Sequence, residues 1–299
     1  LNRMSKGYYD IIKPLIEKEL SVKVVGYLPE QKDIRLESRH LGLVMPDELA
    51  DIKEQLDELA GRLKKTIDLD MLLDIAAEAE EITKTTNTEQ MQIQNQNNTV
   101  NIAVAMDEAF CFYYEDNLRL LEKCGAKLQY FSPLHDTSLP KDCDAMLLGG
   151  GYPELYTKEL SENVSMRESI KKAFRAGLPT VAECGGFMYL HKYIHDICDG
   201  TDEQNKADVQ NNADTQYNTD TQNDVSVSQL VGALDSECHF KGKLVRFGYI
   251  ELAEKNNNFL PPNEKIKAHE FHYYDSTDNG ADCIATKPAT GRSYDCVIS

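Results

Sequence analysis

Residues 178–190, "LPTVAECGGFMYL", place Cys184 between a short apolar run and a pair of glycines that open a second apolar stretch. The run before the cysteine is typical of a buried strand, and the stretch after the glycines is typical of a helix. A strand that turns sharply into a helix at a cysteine forms a nucleophile elbow, where glycines remove the Cβ atoms that would obstruct the turn. The stretch therefore favours Cys184 as a nucleophile over the alternative, one more buried thiol.

The predicted position of Cys184 also indicates how it would react. We expect the amino terminus of the following helix to lower the pKa of the thiol, because the helix dipole favours negative charge there. Backbone N–H groups at the same turn can hold the oxyanion of a tetrahedral intermediate. The turn is thus expected to supply both a nucleophile and an oxyanion site.

Outward from this turn, strands alternate with helices from residue 100 onward. The predicted strands are "VNIAVAM" (100–106), "AKLQYFSP" (126–133), "DAMLLGGG" (144–151) and "LPTVAEC" (178–184). The predicted helices are "YEDNLRLLEKCG" (114–125) and "ENVSMRESIKKAFRAG" (162–177), each closed by a glycine. This order predicts an α/β fold with a doubly wound parallel sheet, and a site formed by the loops 106–114, 149–155 and 183–187 beyond the carboxyl ends of the strands.

A second glycine turn lies in "LLGGGYPELY" (147–156), at the end of a predicted strand. Its residues Gly149, Gly150 and Gly151 allow the backbone to approach an oxyanion or a carboxamide closely, although a tight structural turn remains the alternative. The chain contains no GxxxxGK[ST] sequence, so no nucleotide-binding phosphate loop is assigned.

A strand-type run, "HEFHYY" (269–274), places Glu270 and His272 on one face. An imidazole backed by a carboxylate can act as the base for a thiol. His272 is therefore the candidate base, and His269 and Glu270 are candidate pocket residues. The alternative is that these side chains line a pocket without transferring a proton. Four aromatic residues in "MDEAFCFYYEDN" (106–117) either pack beneath their loop or form a wall or interdomain contact.

The eight cysteines are scattered without CxxC spacing, so most are expected to be reduced structural thiols. Cys184, His191, His195 and Cys198 are close in sequence. We interpret this segment as a helix with two surface histidines and assign no metal to it, because Cys184 begins the helix two turns before His191.

The remaining segments define the predicted domains. Residues 1–82 form a first domain, with a buried strand at 21–28, a short apolar segment at 38–44 and one or two amphipathic helices over 47–81. Residues 83–99 are a linker rich in Asn, Gln and Thr, and residues 100–299 form a second domain with a disordered insertion at 199–228. Arg39 and His40 in the 38–44 segment belong either to a structural strand or to a nucleotide or interdomain contact.

Composition narrows the class of partner. The formal net charge of −18 over 299 residues would repel nucleic acid and anionic membranes, so a small-molecule substrate is expected. The sequence has no apolar run of the roughly 20 residues that span a bilayer, and its first residues lack the pattern of a secretory signal. We therefore expect a cytoplasmic protein.

Five motifs in order resemble the cobyrinic acid a,c-diamide synthase family, whose carboxyl half is a class I glutamine amidotransferase domain. They are the segment 104–136, "LLGGGYPELY", "AECGGFMYL", "KLVRFGY" and "HEFHYY". The segments "VKVVGYLPE" and "SRHLGLV" are similar to the end of the ATP-dependent synthetase domain of that family. The resemblance implies a glutaminase domain preceded by the carboxyl-terminal part of a P-loop-type synthetase domain.

The resemblance also implies a reaction and its components. The family hydrolyses glutamine through a cysteinyl thioester, and uses the ammonia, ATP and Mg²⁺ to amidate two acetate carboxylates of cobyrinic acid, a cobalt corrinoid. Cys184 matches the family nucleophile, and Gly150 and Gly185 match its oxyanion donors. The family's phosphate loop precedes the first residue of this chain and its general-base histidine follows the last one. We therefore expect an internal fragment that carries the glutaminase half, and a homodimer is the candidate assembly.

The sequence leaves two alternatives open. A nickel-sirohydrochlorin a,c-diamide synthase shares the motifs and differs in its tetrapyrrole. A non-catalytic binding module would keep the fold without the reaction.

Overall fold

The structure is a computed structural model that describes residues 1–31, 34, 38–39, 42–43, 49, 51–80, 99–198, 224–256 and 258–299. The chain divides into two compact units, whose described parts are residues 1–80 and residues 99–299. Within the described residues, no helix combines the length and the apolar content needed to cross a membrane.

The first unit is mainly helical. Its helices are α1 (Lys6–Glu19), α2 (Ile52–Thr66) and α3 (Leu69–Ala77), and its strands β1 (Ser38–Arg39) and β2 (Gly42–Leu43) pair antiparallel. The Ser5 side chain caps α1 and the Asp68 side chain caps α3, because each accepts a bond from an otherwise unpaired backbone N–H in the first turn. The amphipathic helices predicted over 47–81 are confirmed by α2 and α3.

The strand predicted at residues 21–28 is wrong. Val24 is buried, but residues 21–28 pair with other described residues only through two isolated bridges, Asn2 with Leu28 and Gly26 with Ile67. The two bridges lie on different neighbours, so the described residues of this unit give the segment no continuous ladder. The side chain of Arg39 and all of His40 lie outside the described residues, so the two interpretations of that segment stay open.

A four-stranded parallel sheet organises the second unit, in the order β4-β3-β5-β6. Its strands are β3 (Val100–Ala105), β4 (Ala126–Phe131), β5 (Ala145–Leu148) and β6 (Thr180–Ala182). The connecting helices are α4 (Glu115–Lys123), α5 (Thr157–Glu162) and α6 (Val164–Arg175), and α7 (Gly185–Leu190) follows the last strand. The sheet confirms the doubly wound α/β fold, and it places the ends of β3, β5 and β6 at one edge.

The core of this unit lies between the parallel sheet and its helices. Fully buried side chains include Phe110, Met146, Leu148, Ile170 and Tyr189. Helices α4 and α6 are followed by Gly125 and Gly177, whose φ angles of 93° and 86° end each helix as the sequence predicts.

Two further sheets complete the second unit. One has the order β12-β9-β7-β8, with β7 (Tyr193–Cys198), β8 (Asp224–Gln229), β9 (Glu237–Phe240) and β12 (Tyr274–Ser276). The other has the order β11-β10-β13-β14, with β10 (Arg246–Glu254), β11 (Lys265–His272), β13 (Cys283–Thr286) and β14 (Ser293–Cys296). The strand character of "HEFHYY" is confirmed by β11 and β12.

Two boundaries differ from the sequence-based expectation. The helix expected to carry both His191 and His195 ends at Leu190, because the alternating segment 193–198 pairs with two strands and buries Ile194. His191 follows the end of this helix and is fully buried, so the predicted helix with two surface histidines is wrong. The predicted insertion is also shorter, because residues 224–228 belong to β8, while residues 199–223 and 83–98 lie outside the described residues.

Candidate active site at the Cys184 turn

Cys184 lies between β6 and α7 in a backbone conformation that few residues adopt. Its φ is 52° and its ψ is −116°, outside the regions that a residue with a Cβ prefers. Hydrogen bonds on both sides hold it: the Glu183 N–H donates to the Leu148 carbonyl at 3.1 Å, and the Met188 N–H donates to the Cys184 carbonyl at 3.0 Å. The predicted sharp strand-to-helix turn is therefore present, with its strain at the candidate nucleophile.

The two glycines after Cys184 are required by close packing. A Cβ on Gly186 would lie 2.2 Å from the Leu148 carbonyl oxygen, and a Cβ on Gly185 would lie 2.8 Å from Cδ of Pro153. Both distances are shorter than real Cβ contacts, so neither residue can gain a side chain without a shift of β5 or of the segment after it. The glycine pair thus lets α7 begin directly against the end of β5.

The second glycine turn, residues 149–151, lies beside Cys184. A Cβ on Gly150 would be 3.4 Å from the Cys184 Cβ and 3.4 Å from the Phe112 ring. The Phe112 N–H donates to the Gly150 carbonyl at 3.0 Å, so the loop after β3 holds this turn in place. The sequence-based expectation that the loops after β3, β5 and β6 converge is confirmed.

Two backbone N–H groups, those of Gly185 and Gly151, lie against the Cys184 sulfur and favour its thiolate form. The N–H of Gly149 is used differently, because it donates to the Tyr113 hydroxyl at 2.8 Å. Gly149 therefore does not fit the oxyanion-donor role considered from the sequence. The roles of Gly150, Gly151 and Gly185 stay predictions, and of these the N–H groups of Gly151 and Gly185 face the Cys184 sulfur.

The expected lowering of the Cys184 pKa is wrong for this chain. The residue is exposed, yet the protein atoms that surround its sulfur displace water, and this loss of hydration together with the Glu154 carboxylate raises the pKa to about 11. The N–H groups of Gly185 and Gly151 act in the opposite direction but do not outweigh those effects. The resting side chain is consequently a thiol, and its reaction with a carbonyl requires a base.

The candidate base lies on another sheet. His272 ends β11, where its Nδ1 is 2.7 Å from the Tyr274 carbonyl oxygen. Among the hydrogen bonds of the described residues, none joins Cys184 to a histidine. The roles of His272 and His269 therefore stay predictions.

Glu270 is surrounded by hydrogen-bond donors and positive charges from other strands and loops of the sheet that contains β11. Its carboxylate accepts bonds from Lys287 Nζ at 2.9 Å and from the Tyr294 hydroxyl, and Arg246 Nη1 lies 3.6 Å away. Burial raises the pKa of Glu270, but the hydrogen bonds from Tyr294 and Lys287 more than offset this, so the net pKa is lowered. These contacts explain the position and the lowered pKa of Glu270, and they require no role for it at the Cys184 turn.

Asp107, Tyr113 and Glu154 shape the site and were not singled out from the sequence. Asp107 accepts bonds from the backbone N–H groups of Ala109 and Leu134 at 2.9 Å each, which fixes the loop after β3. Glu154 is 4% exposed and its charge acts on the Cys184 thiol. All three lie within the loops that the strand pattern indicated, but their individual contacts depend on distant residues.

Comparisons with known proteins agree with this geometry. Residues 101–296 match the family described as the CobB/CobQ-like glutamine amidotransferase domain, which covers the whole Cys184 turn. The chain belongs to this amidotransferase family. The class I amidotransferase fold expected from the sequence is therefore shown for the second unit.

Relatives of this amidotransferase extend over both units. The cobyrinate a,c-diamide synthase of Clostridium tetani is 38% identical over 273 residues, which are 91% of this chain and 54% of that protein. The protein of the same name from Caldanaerobacter subterraneus is 35% identical over 300 residues, which are 99% of this chain and 60% of that protein. The chain thus spans between half and two thirds of the length of these relatives. PurLQS from Thermotoga maritima matches with a TM-score of 0.37 and 16% identity over 63% of this chain and 75% of that chain, which is too distant to support an inference.

Proposed function

We propose that this chain carries the glutaminase half of a cobyrinate a,c-diamide synthase, with Cys184 as the nucleophile. The observation that carries the proposal is the Cys184 elbow, at which a strained cysteine faces the N–H groups of Gly151 and Gly185. The family assignment and the names of the relatives support the choice of glutamine and of cobyrinic acid as substrates.

The geometry suggests the course of the first half-reaction. Sγ of Cys184 attacks the carboxamide carbon of glutamine, and the resulting oxyanion is stabilised by the two N–H groups at the turn. Collapse of this intermediate breaks the C–N bond and releases ammonia, which leaves a thioester on Cys184. Water then hydrolyses the thioester to glutamate and restores the thiol.

Proton transfer is the demanding step, because the pKa of the Cys184 thiol is raised to about 11. A base must accept the thiol proton as the S–C bond forms and then protonate the leaving nitrogen. His272 remains our proposed base. The sequence contains no phosphate-loop motif, and we propose ATP and Mg²⁺ as cofactors of the whole enzyme.

The test is glutamate release from glutamine by the wild-type chain, by Cys184→Ser and by the matched variant Cys124→Ser, which changes another exposed free cysteine. We expect Cys184→Ser to fall below about one thousandth of the wild-type rate, and Cys124→Ser to keep that rate. A glutamine-site electrophile followed by mass spectrometry should label Cys184 alone.

The outcomes separate the alternatives. Turnover that depends on Cys184 supports the glutaminase proposal. Labelling of Cys184 without turnover would show that the elbow is competent and that His272 is not a sufficient base. A lack of both labelling and turnover would overturn the proposal in favour of a non-catalytic binding module.

A further inference from the structure

A second cluster of reactive side chains lies outside the Cys184 turn, on the sheet β12-β9-β7-β8. Strands β7 and β9 run parallel, with Tyr193 opposite Glu237 and His195 opposite His239. Between them, Ile194 and Cys238 are buried in the core, 1% and 2% exposed. Because side chains alternate along a strand, His195, Glu237 and His239 must all point to the other face of the sheet.

Three ligand atoms converge on that face. The Nε2 atom of His195 is 2.8 Å from Oε2 of Glu237, and Nε2 of His239 is 3.8 Å from the same oxygen. The two imidazole rings stack with their centroids 4.2 Å apart and their planes within 14°. One nitrogen from each histidine and one carboxylate oxygen therefore lie within 4.8 Å of one another.

These distances are close to those of a metal site. Ligands that bind one tetrahedral zinc ion at about 2.0–2.1 Å are roughly 3.3 Å apart, which is close to the spacing found here. Binding requires the two stacked imidazole rings to rotate so that their Nε2 lone pairs meet at one point. Two imidazoles and one carboxylate also leave further coordination positions for water. This donor set suits Zn²⁺, Co²⁺ or Ni²⁺ better than Mg²⁺, which prefers oxygen ligands.

We propose that His195, Glu237 and His239 form a binding site for a divalent transition-metal ion on the outer face of this sheet. The ion would join β7 to β9. Strand β7 follows shortly after α7, so the site would tie the chain that leaves the Cys184 turn to its neighbouring strand.

The surrounding charges fit a cation. Asp275 on β12 lies opposite His239 in the antiparallel register, which places it on the same face. Its Oδ1 accepts bonds from Asn279 Nδ2 at 3.0 Å and from the Ser276 N–H at 3.1 Å, so it contributes charge beside the ligands. Lys241 is close enough to act on His239 and opposes a cation. By formal charge, the two carboxylates of Glu237 and Asp275 exceed the single positive charge of Lys241.

An ordinary histidine–glutamate pair elsewhere in the chain provides the comparison. His135 Nε2 lies 3.2 and 3.0 Å from the two carboxylate oxygens of Glu108, which is a hydrogen-bonded pair of exposed side chains. Among the described residues, no third possible metal ligand lies close enough to complete a site with this pair. A pair of this kind should bind a divalent ion far more weakly than a site with three converging ligands.

The experiment is titration of the chelator-treated, tag-free full chain with Co²⁺, followed by visible absorption, and with Zn²⁺, followed by calorimetry. The variants are His195→Ala, His239→Ala and the size-preserving Glu237→Gln, with His135→Ala as the matched control. Thermal unfolding of each variant without metal shows whether it folds.

We expect one equivalent of metal per chain, ligand-field bands without thiolate charge transfer, and a rise in the melting temperature on addition of Zn²⁺. Loss of an outer-shell partner alone costs about 10–100-fold in metal affinity, so each ligand variant should bind at least about ten-fold more weakly. The His135→Ala variant should bind as the wild type does.

Two results would overturn the proposal. One is a folded wild-type chain that shows no ligand-field bands and no heat with either ion. The other is a metal ion held by cysteines or other groups. Thiolate charge-transfer bands, or unchanged affinity in folded Glu237→Gln and His239→Ala variants, would show this.

Discussion

The Tyr113 hydroxyl accepts a hydrogen bond from the Gly149 N–H at 2.8 Å and fixes the first residue of the glycine turn beside Cys184. The same hydroxyl donates to the Ala105 carbonyl at 2.5 Å, so it joins the ends of β3 and β5. One side chain thus ties the end of β3 to the first residue of the glycine turn that follows β5.

Replacement of this tyrosine should therefore affect stability and turnover together. We expect Tyr113→Phe to lower the free energy of unfolding of the second unit by about 1–3 kcal/mol, because it leaves a backbone N–H and a carbonyl without their partner. Urea unfolding and glutamate release measure the two effects. The neighbouring Tyr114, which is 72% exposed, provides the control Tyr114→Phe, and equal effects of the two substitutions would refute this role.

The two glycine turns should respond differently to an added methyl group. Gly186→Ala places a Cβ 2.2 Å from a backbone oxygen, so we expect it to destabilise the second unit by about 1–3 kcal/mol or to prevent its folding. Gly150→Ala places its Cβ at an ordinary contact distance, 3.4 Å from Cys184 and Phe112. That variant should fold with near wild-type stability but release glutamate more slowly, since the methyl group occupies space next to the sulfur. A stable Gly186→Ala protein would contradict the packing seen at Leu148.

The pH dependence of alkylation tests the electrostatics of the nucleophile. Because the pKa of Cys184 is raised to about 11, its thiolate fraction grows about ten-fold for each pH unit between 7 and 10. The rate of iodoacetamide labelling at Cys184, followed by mass spectrometry, should rise over this whole range. The Cys184→Ser variant identifies the contribution of the other thiols. A rate that levels off below pH 8 would mean that a group absent from the described contacts stabilises the thiolate.

The Glu270 cluster gives a prediction about stability and pH. We expect Glu270→Gln to lower the free energy of unfolding by about 1.5–3 kcal/mol, since it weakens charged hydrogen bonds to Lys287 and Tyr294. The pKa of Glu270 is lowered on folding from 4.5, so this stabilisation is present above pH 4.5 and is lost as the pH falls through the folded-state value.

The difference in free energy of unfolding between the wild type and Glu270→Gln should therefore become smaller at acidic pH. Urea unfolding at several pH values measures this difference. The exposed pair of Glu251 with Lys265, 3.4 Å apart, supplies the control Glu251→Gln, which should cost at most about 1 kcal/mol. Loss of glutaminase activity in Glu270→Gln at unchanged stability would instead support a pocket role.

The sequence predicts the parallel sheet and the Cys184 turn well, because both depend on local patterns. An apolar run that ends in glycine marks β5, and "ECGGF" after the apolar run of β6 marks the change from strand to helix. The pKa of Cys184 could not be predicted in the same way, since it depends on atoms that surround the sulfur and on Glu154, about thirty residues earlier in the chain.

Contacts between distant segments explain the other differences. His191 and His195 have the i, i+4 spacing that suits a helix, but the pairing of residues 193–198 with β8 and β9 makes that segment a strand. That pairing also moves His195 away from His191 and next to His239, forty-four residues later. A ligand set of this kind has no local sequence signature, because its members come from two strands whose register is fixed only in the folded unit.

The register of β7 and β8 has a practical consequence. The strands pair antiparallel from Tyr193 opposite Gln229 to Cys198 opposite Asp224, so the backbone leaves and re-enters the sheet at adjacent points. Opposed residues in such a ladder are about 4.5–5.5 Å apart, a gap that a two-residue hairpin turn can close. We therefore expect that residues 199–223 can be exchanged for a short Asn-Gly connection, or for a fluorescent reporter with neighbouring ends, while the pairing of β7 with β8 is kept.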